Sequence, residues 1–252
     1  MHKLACLIPT RLNSRRLPNK ALLKLNNNTL IENVYFNALN SFKTSLISVD
    51  IFVVTDSAEI VKVLESSNIP YLLTSSAPVN GTERIAEAFA NHKLHYDYII
   101  DVQGDEPFIN QNIVSLVSSD LFKYSPSQEV VILPHQIISD SDALSDSVVK
   151  IVVNNSGYVQ YLSRSLIPYC HNPSQTYPIL YKKHLSVIGF TRSSLLHYSQ
   201  LSPSPLESVE DIELLRALEN MIPIYSPYST DSTFSIDTEA DLLKARILLA
   251  KL

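Results

Sequence analysis

Short apolar runs alternate with amphipathic helical stretches through the N-terminal part of the chain, and no other feature narrows the fold as much. Leu4 to Pro9 reads as a buried strand and Leu30 to Phe42 as a helix with Ile31, Val34, Tyr35, Ala38 and Leu39 on one stripe. A strand over Val49 to Thr55 ending in Asp56, a helix over Ala58 to Glu65 and a short strand over Ile69 to Leu73 follow. Strands joined through intervening helices pair in parallel by right-handed crossovers, so the pattern predicts an α/β fold whose first half is a nucleotide-binding half-sheet. A helix over Ile85 to Asn91 and a strand over Tyr98 to Val102 continue it.

The loops at the strand ends carry the chemistry. After the first strand comes Thr10-Arg11-Leu12-Asn13-Ser14-Arg15-Arg16-Leu17-Pro18-Asn19-Lys20, with four cations in ten residues of a chain whose net charge is -5. Guanidinium forks match phosphate oxygens and a lysine adds a mobile point charge, so the loop looks built to hold a polyphosphate. It follows neither the P-loop nor the dinucleotide-binding glycine pattern, which argues against a P-loop ATPase and a Rossmann dehydrogenase. Asn80-Gly81-Thr82-Glu83-Arg84 opens a helix and offers free N–H groups to an anion or base edge, although a plain N-cap by Thr82 has the same composition. Tyr98-Ile99-Ile100 runs into Asp101-Val102-Gln103-Gly104-Asp105-Glu106-Pro107-Phe108. Ligands of open α/β sheets bind outside the carboxyl ends of the strands, where Asp105 would handle a metal ion or a phosphate. A capped β-to-helix turn reads the same way.

With 252 residues, the chain makes one large α/β domain or one and a half small ones, and 45% hydrophobic residues suffice for a sizeable core. The acidic balance argues against a bulk nucleic-acid or anionic-membrane binder. Two cysteines far apart, Cys6 and Cys170, imply reduced thiols in a cytoplasmic protein and exclude a cysteine-based zinc site. The N-terminal apolar run is too short for a signal peptide, and no membrane-spanning run is present. Glycine is scarce, with four at 81, 104, 157 and 189, which predicts that each serves a positive φ or a close approach.

From Val130 the texture turns β-branched. Val130 to Leu133, Val148 to Val153 and Leu185 to Thr191 predict an antiparallel or mixed extension with a hairpin-like turn at Asn154-Asn155-Ser156-Gly157. Tyr161 to Pro168 reads as a short helical or irregular piece carrying Arg164, and a polar loop from Cys170 to Tyr181 precedes His184. Ser204-Pro205-Leu206-Glu207 has the capping-box pattern and predicts a helix to about Glu219, with Glu207, Glu210, Asp211 and Leu214 on one face. Thr233 to Ile236 reads as a strand that places Asp237, a second carboxylate, at its end, before a terminal helix over Leu242 to Leu252. Two acidic strand ends and a basic loop fit polyphosphate held by Arg and Lys, with Mg²⁺ on the carboxylates, for in-line attack at phosphorus.

In this order the motifs resemble the CMP-Kdo synthetase family of sugar-activating cytidylyltransferases from Ile8 to about Ala245. Pro9-Thr10-Arg11, Ser14, Arg16-Leu17-Pro18 and Lys20 are similar to the family's nucleotide loop, and Gly81-Thr82-Glu83-Arg84 and Val102 to Pro107 to its next two signatures. Tyr161-x-Ser163-Arg164-x-x-Ile167-Pro168, His184-Leu185, Pro205-Leu206-Glu207 with Glu210, Leu215-Arg216 and Ile236-Asp237-Thr238 match the later ones. The resemblance implies one Rossmann-like nucleotidyltransferase domain over residues 1–252, with a central, mixed, mostly parallel sheet flanked by helices. Residues 1–128 would mainly bind nucleotide, and 129–252 would supply a smaller antiparallel extension for sugar binding and dimerisation. It implies a cytoplasmic homodimer of lipopolysaccharide or capsule-type glycan synthesis, joining CTP to a 3-deoxy-ulosonic acid with release of pyrophosphate. By the same resemblance Arg11, Ser14, Arg16 and Lys20 hold the triphosphate. Gly81, Thr82, Arg84 and Gln103 lie near cytosine and ribose, and Asp105 and Asp237 bind Mg²⁺. Gln103, Arg164, His184, Glu207 and Glu210 face the sugar, and Arg16, Lys20, Asp105 and Asp237 form the catalytic set.

Departures from the family pattern are mild in the nucleotide loop, where Thr10, Asn19 and Ala21 replace Ala, Gly and Pro. They concentrate on the sugar side. Ser186-Val187-Ile188-Gly189-Phe190 stands where the family reads Gly-Ile-Tyr-Gly-Tyr, and Leu214 replaces a Gln. Losing hydrogen-bonding groups there predicts a changed or less polar acceptor, such as a deoxy or amino variant, in preference to Kdo itself. Alternatives within the resemblance are an enzyme for sialic-type acids, whose glycine-rich, lysine-containing first loop is absent here, and a nucleotide-binding relative without turnover.

Overall fold

The structure is a computed structural model that describes residues 3–14, 16–172 and 180–249. Arg15, most of the polar loop after Cys170 and the last three residues of the expected terminal helix lie outside the described residues.

A seven-stranded sheet forms the centre of the molecule. Its parallel core is β1 (Leu4–Pro9) between β2 (Asp50–Thr55) and β4 (Tyr98–Val102), with β3 (Tyr71–Leu73) beyond β2. Side chains of β1 alternate between two cores: Leu4, Cys6 and Ile8 join one, Ala5 and Leu7 the other. Burial on both faces is why this strand and β4 read as continuous apolar runs, and why their bounds agree with the sequence expectation. Helices α1 (Leu30–Thr44), α2 (Ala58–Ser66), α3 (Gly81–Asn91) and α4 (Gln111–Leu121) are the crossovers and cover. Thr29 and Glu32 close a capping box on α1.

The expected separate extension is corrected in part. Strands β5 (Val131–Ile132) and β10 (Val187–Thr191) belong to the central sheet, β10 antiparallel to both β4 and β5, and β11 (Ile224–Tyr225) completes its edge. All of β10 is buried, so it needs cover on both faces, and Gly189 lets Val117 and Leu121 of α4 press directly on its backbone. The second sheet has four strands in the order β8 (Val159–Ser163), β7 (Lys150–Val153), β9 (Lys182–His184) and β6 (His135–Ile137), all antiparallel. The hairpin turn falls where the sequence placed it, with Gly157 at φ 85°. Tyr161 to Ser163 is therefore strand rather than a helical piece.

Two further expectations fail near the C-terminus. Ser204 and Glu207 do make the capping box, but the helix breaks: α6 (Pro205–Glu210) ends at Asp211, left-handed at φ 53°, before α7 (Leu214–Glu219) begins. Glu207, Glu210, Asp211 and Leu214 thus share no single helical face. Residues 232–237 are not a strand; they run extended into α8 (Glu239–Leu249), with the Ile236 N–H donating to the Asp105 carbonyl at 3.0 Å. Helix α5 (Arg192–Gln200) packs on α3.

Candidate active site

The carboxyl ends of β1 and β4 and the start of α3 frame a cleft of about 650 Å³. Arg11, Ser14, Arg16 and Lys20 all line it. Asn19 turns the loop at φ 53°, a left-handed geometry that Asn adopts more readily than most residues, which explains how it stands in for glycine. Gly104 permits the contact between the β1 and β4 loops, since a Cβ there would lie 2.6 Å from the Pro9 carbonyl oxygen.

At the floor, Lys20 Nζ lies 2.6 Å from Asp105 Oδ2 and 3.1 Å from Asp237 Oδ1, and Arg16 Nη2 lies 3.0 Å from the same Asp237 oxygen. Burial disfavours the Lys20 ammonium, but the two carboxylates outweigh it and raise its pKa above the ordinary lysine value. Two aspartates focused on one cation are a suitable donor pair for Mg²⁺, which takes one or two carboxylates and fills its shell with phosphate and water oxygens. Among the described residues no cluster of three or more acidic, His or Cys side chains could hold a metal without such help.

Gly81 and Arg84 also face this cleft. Arg84 Nη1 meets Asp56 at 3.2 Å, Thr74 Oγ1 at 2.6 Å and the Ser75 carbonyl at 3.3 Å. Thr82 lies buried behind the wall; its N–H donates to Glu213, and Asn80 rather than Thr82 caps α3. Gln103 stands at the junction of the first cleft with a second of about 930 Å³. Its Nε2 donates to Asp101 Oδ2 at 2.8 Å and reaches Glu213 Oε1 at 3.4 Å.

His184 and Glu207 line the second cleft, and Arg11, Arg16, Gln103, Asp105, Arg164 and Asp237 border both. Arg164 gives its Nε to the Glu210 carbonyl, Nη1 to Asp146 and Nη2 to Asp211, all backbone oxygens. Its positive charge thus meets dipoles, and among the described residues three of its five N–H groups are taken, which leaves two toward an anion. Burial pulls the His184 pKa down to about 4, so the ring is neutral near pH 7. Glu207 forms a two-pronged ion pair with Arg216 at 2.6 and 2.7 Å and accepts from Asn80 at 3.0 Å. Glu210 lies off both clefts, its carboxylate accepting from Ser163 Oγ and the Arg164 N–H. Of the sugar-side substitutions, Ser186, Ile188 and Leu214 reach the second cleft, while Phe190 is fully buried in the sheet.

A cytidylyltransferase family model matches residues 5–224. This chain belongs to the cytidylyltransferase family. Among its relatives are the 3-deoxy-manno-octulosonate cytidylyltransferases of Fusobacterium nucleatum, 35% identical over 94% of this chain and 92% of that one, and of Leptospira interrogans, 36% identical over 96% and 94%. The solved structure of CMP:2-keto-3-deoxy-manno-octonic acid synthetase complexed with CTP superposes with a TM-score of 0.87, at 32% identity over 99% of both chains. A glucose-1-phosphate thymidylyltransferase from Bacillus anthracis, at 15% identity and a TM-score of 0.64, shares the fold.

Sequence reasoning about this cytidylyltransferase missed three buried acids. Asp101 sits within β4, its pKa raised well above the carboxylate range by burial and by the nearby Glu213; among the described residues Oδ1 has no hydrogen-bond partner. Glu213 is raised by burial as well. Glu106 is pushed up to about 7, first by burial and then by Asp105, and accepts from Ser235. A charged residue inside an otherwise apolar strand was the visible signal for Asp101.

Proposed function

We propose that the protein joins CTP to 3-deoxy-manno-octulosonate, giving the CMP-sugar and pyrophosphate. The observation that carries this reading is that two clefts run together along Arg11, Arg16, Asp105, Arg164 and Asp237, with Lys20 on the first alone and Lys183 and Lys244 on the second alone. Two anionic substrates can each find a cation and touch at one point, as in-line transfer requires.

In this reading Arg11, Ser14, Arg16 and Lys20 hold the triphosphate, with Gly81, Arg84 and Gln103 toward the cytosine and ribose. Asp105 and Asp237 hold Mg²⁺, which when bound neutralises charge on the phosphate oxygens. The spare N–H groups of Arg164 receive the sugar carboxylate, while Gln103, neutral His184 and Glu207 orient its hydroxyls. Glu210 acts one step back by fixing Arg164. The anomeric 2-hydroxyl oxygen bonds to the α-phosphorus, its proton passing to solvent, as the bond from the α-phosphorus to the oxygen bridging to the β-phosphate breaks. Arg16 and Lys20 then offset the charge that gathers on the departing pyrophosphate. Residues 1–128 supply mainly the nucleotide side and 129–252 mainly the sugar side of one domain.

A homodimer in the cytoplasm belongs to the same proposal. Among the described residues no helix is long and apolar enough to cross a membrane. Pyrophosphate release from CTP, with the sugar acid and Mg²⁺ added or withheld singly and the product weighed by mass spectrometry, tests the activity. Release that ignores the acid, or no CMP-sugar with all three present, would defeat it. Light scattering tests the dimer.

A further inference from the structure

Lys150 opens the strand Lys150–Val153 and is fully buried, at 0% exposure. Its ammonium donates to the Ser145 and Val148 carbonyls at 2.7 Å each and to the Arg164 carbonyl. All three N–H donors are used, and none reaches a carboxylate. Burial lowers its pKa, with the charge of Asp146 acting against that.

Burying a lysine this completely is costly unless the charge does something that an apolar side chain cannot. The position of its three acceptors shows what that is. Ser145 and Val148 bracket a turn whose residue Ser147 lines both clefts, and the third acceptor belongs to the arginine that faces both clefts. Lys150 itself lines neither. From the other side, the Arg164 guanidinium donates to the carbonyl of Asp146 within the same turn. The turn is thus held between two cations, and the main chain and the side chain of Arg164 are each tied to it.

We propose that Lys150 is the positioning residue for acceptor binding: by pinning the Ser145–Val148 turn to the Arg164 carbonyl, it aims the Arg164 guanidinium at the carboxylate of the sugar acid. This rests on the cytidylyltransferase reading above. Loss of the ammonium lets the turn and the arginine move apart, weakening the acceptor while leaving the triphosphate loop, on the far side of the first cleft, in place.

Lys150→Met keeps length and burial but removes the donors. Steady-state kinetics should show its KM for 3-deoxy-manno-octulosonate raised about tenfold, with KM for CTP within about twofold and kcat little changed. Lys150→Arg, which can still reach carbonyls, should recover part of the loss. In an Arg164→Ala background, Lys150→Met should add little, because residues acting through one another are not additive. Equal shifts in both KM values, an unchanged acceptor KM, or full additivity with Arg164→Ala would overturn the proposal. So would failure of both the Met and Arg variants to fold, which would make Lys150 a fold residue only. Absence of CMP-sugar formation by the unaltered enzyme would instead count against the function itself.

Discussion

The N–H of Ile236 donates to the carbonyl of Asp105 at 3.0 Å, and this bond sets Asp237 beside Asp105 although the whole second sheet and three strands of the central one lie between them in sequence. Both carboxylates then close on Lys20 Nζ. Asp105→Asn keeps the shape of the side chain but removes a charge from the proposed metal pair. Turnover should fall by at least about a hundredfold, consistent with loss of a group that places charge at the reacting phosphate. Thermal unfolding should fall only modestly, because the carboxylate is partly exposed and Asp237 remains as a counter-ion for Lys20. Near-normal turnover in this variant would remove Asp105 from the metal site.

Continuous apolar runs made β1 and β4 legible, since strands covered on both faces carry no polar alternation to misread. The basic loop and Asp105 were legible because they follow buried strands, where an open α/β sheet binds its ligands, whereas Asp237 was placed by way of a strand that the structure does not contain. Less visible was the break after Glu210. The sequence runs on in helical register, yet Asp211 turns left-handed while its carbonyl and that of Glu210 accept from Arg164, a residue far earlier in the chain. Tertiary partners likewise made Tyr161 to Ser163 a strand and left residues 232–237 unpaired as a strand. Lys150 could not be told from a surface lysine, because nothing in its neighbours announces three carbonyls around one ammonium.

Arg216 ties α3 to α6. Nearly fully buried, it pairs with Glu207 of α6 and with Glu83 of α3, at 2.7 Å, and lies over the Tyr198 ring. Arg216→Met leaves both carboxylates without their cation, and removing one partner of a buried ion pair costs about 3–5 kcal/mol. Urea denaturation should show a loss of that size, and Arg216→Met with Glu207→Gln should lose less than the sum of the single changes. Additive losses would show that the pair is not a unit.

Ile188 and Leu214 put apolar side chains on the second cleft where, in the proposed reading, an acceptor hydroxyl would otherwise find a partner. Such a wall discriminates weakly against acids that lack a hydroxyl, whereas a site built to bond one rejects the analogue strongly. Comparing kcat/KM for 3-deoxy-manno-octulosonate with deoxy and amino variants should therefore show similar values or a preference for a variant. Leu214→Gln should move the ratio toward the unmodified acid by about tenfold or more. A strong preference for the unmodified acid in the unaltered enzyme would show that the hydroxyl is recognised elsewhere.

His135 gives the fold a pH dependence separate from catalysis. It is buried beside Ser226 Oγ at 2.9 Å, and burial, helped by the charge of Lys182, pulls its pKa from 6.5 to about 4. The folded protein holds the ring neutral where the unfolded chain would protonate it. Its contribution to stability is thus complete above pH 6.5 and is lost as pH falls through about 4. Within that window one such histidine steepens the pH dependence of unfolding by up to about 1.4 kcal/mol per pH unit. His184, also lowered to about 4, acts in the same direction. Urea midpoints measured from pH 7.5 down to pH 4.5 should fall for the unaltered protein and fall less steeply for His135→Gln. Parallel slopes would mean that His135 already exchanges its proton freely in the folded state.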